Sequence, residues 1–125
     1  MAFTYVPELT ASMAVSDLNA SIAWYERVLG FEVRYRVDEI GWCELSTRIP
    51  GVTVGLSQNE QVVQGGGATN VWGVENIDDA KAHLDTHGVR QDGDIQLVPG
   101  MVKLITFFDP DGNAMMFAQS LVGDE

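Results

Sequence analysis

Apolar positions along the chain recur with two periods, and the switch between the periods comes twice in the same order. Leu18, Ile22, Tyr25 and Leu29 stand at i, i+4, i+7 and i+11, which predicts a helix with one apolar stripe suited to lie on a sheet. The run from Val15 to Ala23 is echoed by the run from Val74 to Ala82. Both runs follow a short strand-like stretch and put Asp or Asn where a helix N-cap accepts a backbone N–H bond. Both end at a glycine, Gly30 or Gly88, where a left-handed residue closes a helix. In the second helix Ile77, Ala80 and Leu84 form the stripe. Lys81, Asp85 and the acidic first turn then face solvent, and the acids suit the positive end of the helix.

After each helix the period drops to two, as three successive antiparallel strands require. The first set is Phe31 to Val37, Gly41 to Thr47 and Val52 to Ser57, with Ile49-Pro50-Gly51 as a turn. The second is Val89 to Leu97, Val102 to Phe108 and Ala114 to Ser120, with turns at Pro99-Gly100 and at Asp109-Pro110-Asp111-Gly112-Asn113. The pattern is βαβββ twice, an α+β arrangement. Between the halves, Gln58 to Ala68 is polar and ends in Gly65-Gly66-Gly67, so it reads as a linker. A phosphate-binding loop would need a strand before these glycines and a helix after them, and here a strand follows.

Length, at 125 residues, suits a single domain with module one at about 8–57, a linker at about 58–68 and module two at about 69–120. No apolar stretch approaches the roughly 18 residues that span a bilayer, and Met1 to Pro7 carries no readable secretory signal. A single cysteine, Cys43, excludes an internal disulfide and fits a reducing compartment, so a cytoplasmic location is expected. The formal net charge of −11 repels phosphate backbones and anionic lipid, which argues against nucleic-acid and membrane partners and serves solubility.

Two stretches carry a family resemblance. One is Met13-Ala14-Val15-Ser16-Asp17-Leu18-Asn19-Ala20-Ser21-Ile22-Ala23-Trp24-Tyr25-Glu26-Arg27-Val28-Leu29-Gly30-Phe31, and the other is Phe107-Phe108-Asp109-Pro110-Asp111-Gly112-Asn113. Together with the repeat they resemble the vicinal oxygen chelate superfamily, which includes glyoxalase I, extradiol dioxygenases and fosfomycin- and bleomycin-resistance proteins. The resemblance covers roughly residues 8–120. It implies two tandem βαβββ modules forming a U-shaped cleft, often completed in a homodimer. Neither motif is catalytic, and the fold alone does not decide what the cleft does.

Metal-dependent members of the family place a ligand on the first and last strand of each module. The matching positions here are Thr10, Gly55, Thr69 and Met116. None suits the hard divalent ions of the family, since glycine has no side chain and a thioether is too soft. A shift of one or two residues supplies Glu8 as the one useful donor. No metal and no other cofactor is therefore expected. His83 and His87 share one helical face at i, i+4, but the glutamate that follows the first histidine in zinc sites of that spacing is missing, and they are read as surface histidines. Cys43 is read as a small packed side chain.

Without a metal, function rests on the lining of the cleft. Alternation puts Thr10, Ser12 and Ala14, Thr53, Gly55 and Ser57, Thr69, Val71 and Gly73, and Ala114, Met116 and Ala118 on its face. These small neutral residues leave room for a bulky, fairly apolar ligand, and Thr10, Ser12, Trp42, Thr53, Gly55, Thr69, Val71 and Met116 are the expected contacts. Glu44 and Lys103 are the candidates for proton chemistry, and Trp42, Trp72 and Phe107 for stacking, although Trp72 falls on the helix side if Val71 faces the cleft. Three readings stay open. They are a metal-independent, bleomycin-resistance-like small-molecule binder, an interaction subunit, and an enzyme of glyoxalase-like lyase or isomerase type or of dioxygenase type, with no metal or with unusual ligands.

Overall fold

Each half of the chain folds as one strand, one helix and three further strands, so the repeat in the sequence is a repeat in space. The computed structural model describes residues 2, 4–62 and 68–122, and the chain divides into two compact units, Met1–Val63 and Gln64–Glu125. The Gly65-Gly66-Gly67 stretch of the expected linker lies outside the described residues, and Gln58 is the last residue of a strand rather than part of the linker.

In the first unit β1 (Leu9–Val15) leads to α1 (Leu18–Trp24), which runs on as a π-helical turn over Tyr25–Leu29. Strands β2 (Glu32–Val37), β3 (Trp42–Ser46) and β4 (Val52–Gln58) follow. The sheet order is β1-β4-β3-β2, with β1 and β4 parallel and the other pairs antiparallel. Helix α1 covers one face, where Leu18, Ile22, Tyr25 and Val28 bury against Val15, Cys43, Leu45, Val54 and Leu56. The extra residue of the π turn makes Val28 the buried end of the stripe and leaves the expected Leu29 half-buried. Gly30 then closes the helix at φ +74°.

In the second unit β5 (Asn70–Gly73), α2 (Ile77–Thr86), β6 (Gln96–Val98), β7 (Val102–Phe108) and β8 (Ala114–Ser120) make a sheet of order β5-β8-β7-β6. Ile77 and Leu84 of α2 bury with Ile105, Phe107, Met115 and Phe117. The strand expected over Val89 to Leu97 is reduced to β6 and an isolated bridge from Gln91 to Phe107. Asp92-Gly93-Asp94 interrupts it, with Gly93 at φ +75°, which no extended strand allows. The Asp109 turn is built on a buried carboxylate that accepts from the backbone N–H groups of Asp111 and Asn113, both at 2.9 Å, and from Asn113 Nδ2 at 2.8 Å.

Both helices start by the same device. Asp17 accepts from Ala20 N and Asn76 from Asp79 N, each at 3.0 Å, as N-caps do. The final strand of each unit adds a second acceptor, Gln58 Oε1 for Leu18 N and Gln119 Oε1 for Ile77 N, both at 2.8 Å. Two of the N–H groups that a helix start leaves without a partner are thus satisfied in each unit. Among the described residues no helix is long and apolar enough to cross a membrane.

Candidate functional site

Burial separates the two faces of the first sheet. Cys43 and Leu45 of β3 and Val54 and Leu56 of β4 point under α1 and are fully buried. By alternation the opposite, open face carries Thr10 and Ser12 of β1, Trp42, Glu44 and Ser46 of β3, and Thr53, Gly55 and Ser57 of β4. The register aligns Thr10, Thr53 and Ser46 in one row and Ser12, Gly55 and Glu44 in the next. The Thr10 and Thr53 hydroxyls are 2.8 Å apart and hydrogen-bonded. Five expected contacts, Thr10, Ser12, Trp42, Thr53 and Gly55, therefore share this face with Glu44.

A cavity of about 460 Å³ opens at the end of this face where β1 and β4 begin. Thr10, Thr53, Ser46, Glu44 and Arg34 give it polar walls and Ile49 and Pro50 apolar ones, while Leu9 and Val52, in line with the helix-facing Val54, border it at the strand ends. Glu8 and Thr47 also line it. Glu44 is only 8% exposed, and a polar group so buried needs hydrogen-bond partners. It has two, with Tyr35 OH donating to Oε1 at 2.9 Å and Arg34 Nη1 to Oε2 at 3.3 Å. Neighbouring strand residues normally point to opposite faces, yet Arg34 and Tyr35 both reach this one carboxylate. The register slips between Val33, which pairs with Leu45, and Tyr35, which pairs with Glu44, so Arg34 is the extra residue of a bulge. Sequence reasoning did not single out Arg34 or Tyr35, and no glycine or turn residue marks that bulge.

The four positions where the family carries metal ligands do not fit a divalent ion. At Gly55 a Cβ would collide with Cη2 and Cζ2 of Trp42, because the indole leans diagonally from β3 across the glycine. The expectation that Gly55 leaves open room is thereby corrected. Its vacant side-chain space is taken up by an aromatic ring. The Thr10 hydroxyl is committed to Thr53, Thr69 stands just before β5, and Met116 offers a thioether. Among the described residues no three His, Cys, Asp or Glu side chains gather into a metal site.

In the second unit Val71, Met116 and Thr106 are register partners on one face, with Gly73, Ala118 and Leu104 in the next row. Lys103 falls on the other face, in line with the buried Ile105 and Phe107 and paired with Leu97 and Gln119. The proton-transfer candidate Lys103 thus points away from the face of Val71 and Met116, and the stacking candidates Phe107 and Trp72 sit on its side. The reason is one step of register, since Lys103 is an odd number of residues from Thr106. His83 is exposed and its ring centroid lies 4.4 Å from that of His87. Cys43 is buried under α1, and that burial pushes its thiol above the usual range.

With this geometry established, comparison places the chain among known proteins. A model of the Glyoxalase/Bleomycin resistance protein/Dioxygenase superfamily matches residues 9–117. No curated protein matches the sequence. A member of that superfamily from Sphaerobacter thermophilus has a similar structure, with a TM-score of 0.79 and 22% identity over 96% of this chain and 100% of that one. The genomically encoded fosfomycin resistance protein FosX from Listeria monocytogenes gives a TM-score of 0.80 at 15% identity, over 95% of this chain and 97% of that one. TnmS3, an antibiotic binding protein from a Streptomyces species, gives 0.75 at 22% identity, over 96% and 98%. At these identities the likeness is one of fold.

Proposed function

The chain belongs to the Glyoxalase/Bleomycin resistance protein/Dioxygenase superfamily, and from that premise we propose that it binds a small organic molecule without a metal ion, in the cavity on the open face of its first unit. The observation that carries this reading is the pairing of a ligand-sized cavity with a ligand position, Gly55, that Trp42 has filled. A volume of about 460 Å³ lies within the range of small-molecule sites. Ile49 and Pro50 give a bulky ligand apolar surface to cover, and Glu44, Thr10, Thr53 and Ser46 fix its orientation. An antibiotic binding protein among the neighbours of like fold supports binding of an organic molecule as the role.

The test is ligand screening by native mass spectrometry and calorimetry, with and without chelator. A bound organic molecule whose affinity ignores chelator is the expected result. Affinity that disappears with chelator and returns with a divalent ion would sink the reading. The same reading takes the protein as a cytoplasmic homodimer, in keeping with its single reduced thiol, and light scattering on the purified protein checks the dimer.

The burial of Glu44 at the cavity wall favours one other reading, an enzyme of lyase or isomerase type in which Glu44 moves a proton. In that case Glu44→Gln abolishes turnover while ligand still binds. A variant that keeps full turnover rejects it.

A further inference from the structure

Resting on the binding role proposed above, we infer that the polar group received by this cavity is a protonated amine on an apolar body, with Glu44 as its counter-ion. A carboxylate has about four lone-pair sites, and Tyr35 OH and Arg34 Nη1 occupy one each, so Glu44 keeps acceptor capacity. Two carboxylates, Glu8 and Glu44, line the cavity against one guanidinium, Arg34. The side chain of Arg34 is 57% exposed while that of Glu44 is 11% exposed. Water therefore screens Arg34 more than it screens Glu44, and the buried carboxylate keeps the larger part of its attraction for a cation.

An anionic ligand has one cationic partner here, Arg34. Turning that guanidinium toward a ligand would take a donor from a buried carboxylate, which is the costly half of such a pair to leave alone. A neutral alcohol meets the acceptors but adds no charge. An ammonium group supplies three donors with a positive charge, and Glu44, Thr10 and Thr53 all offer oxygen lone pairs on the same face. The body of the ligand follows from the other wall. Ile49 is 43% exposed beside the cavity, and with Pro50 it offers an aromatic or branched apolar group a surface to cover.

Three probes of matched shape separate the alternatives, 2-phenylethylamine, 2-phenylethanol and 3-phenylpropanoate. Titrated calorimetrically into the full chain at low salt, the amine is expected to bind about tenfold tighter than the alcohol, with the carboxylate weakest. Glu44→Gln is expected to erase the roughly tenfold preference for the amine over the alcohol. The comparison in the unaltered chain stands by itself if that variant fails to fold. The inference is overturned if the alcohol or the carboxylate binds as tightly as the amine, or if no probe shifts the amide resonances of Thr10, Glu44 and Thr53 at millimolar concentration. Should the alcohol or carboxylate win while shifting those resonances, the amine falls and metal-independent binding in the cavity stands. If the amine binds best only when a divalent ion is present, metal-independent binding falls instead.

Discussion

At position 55 a missing side chain is a packing requirement, because the outer edge of the Trp42 indole lies where a Cβ would go. Gly55→Ala must displace that ring, and a loss on the order of 1–3 kcal/mol is expected from overpacking. In Trp42→Ala the same glycine has nothing to avoid, so the double variant should lose less than the sum of the single losses. Urea denaturation of the four proteins measures this coupling, and strict additivity would remove Trp42 from the account. Cys43 gives a second check at this scale. Its burial favours the neutral thiol, so its contribution to stability is full below the ordinary thiol range and is lost as pH rises through its raised value. Near pH 8 a thiol reagent should therefore modify the folded protein far more slowly than the urea-unfolded chain. The facing of Thr53 and Gly55 was legible in the sequence because β4 alternates them cleanly with Val54 and Leu56. Trp42-Cys43-Glu44-Leu45 has an apolar member in both alternating sets, so which set meets the helix could be settled only by pairing with β4.

Among the elements, the two helix starts show what local signals convey and what they leave out. Asp17 and Asn76 were readable as caps because their partners stand three residues on. Gln58 and Gln119 act at separations of 40 and 42 residues, through the sheet, and nothing near either glutamine announces the bond. Removing either amide, by Gln58→Ala or Gln119→Ala, exposes a helix N–H with no replacement acceptor and is expected to cost about 1 kcal/mol. Thermal unfolding followed by circular dichroism checks both, and a neutral result at both positions would mean that water serves equally well. The π turn was illegible for a different reason. Val28 and Leu29 are both apolar, so the stripe reads equally well with either residue inward, and the tertiary fit to the sheet selects Val28.

For the whole molecule, the excess of acidic groups opposes one local bond in the response to pH. A net charge of −11 makes the folded chain repel itself at neutral pH, and salt screens that repulsion over about 8–10 Å near physiological ionic strength. Adding sodium chloride at pH 7 is therefore expected to raise the melting temperature, and the gain should shrink toward the isoelectric point near 4.3, where the net charge vanishes. Asp85 pulls the other way. Its carboxyl is held below the ordinary value of 3.8 first by the Gln91 amide, 2.8 Å away, and then by Lys81 at 3.4 Å. Stabilisation from a lowered carboxyl is present above the unfolded value and lost as pH falls through the folded one. Acid below about pH 4 thus removes a specific bond after it has relieved the general repulsion. Asp85→Asn cannot lose that proton-linked bond, so its melting temperature should fall less steeply between pH 4 and 2 than that of the unaltered chain. Parallel curves would show that the Asp85 bonds are too exposed to matter, and that the acid limb belongs to the remaining carboxylates alone.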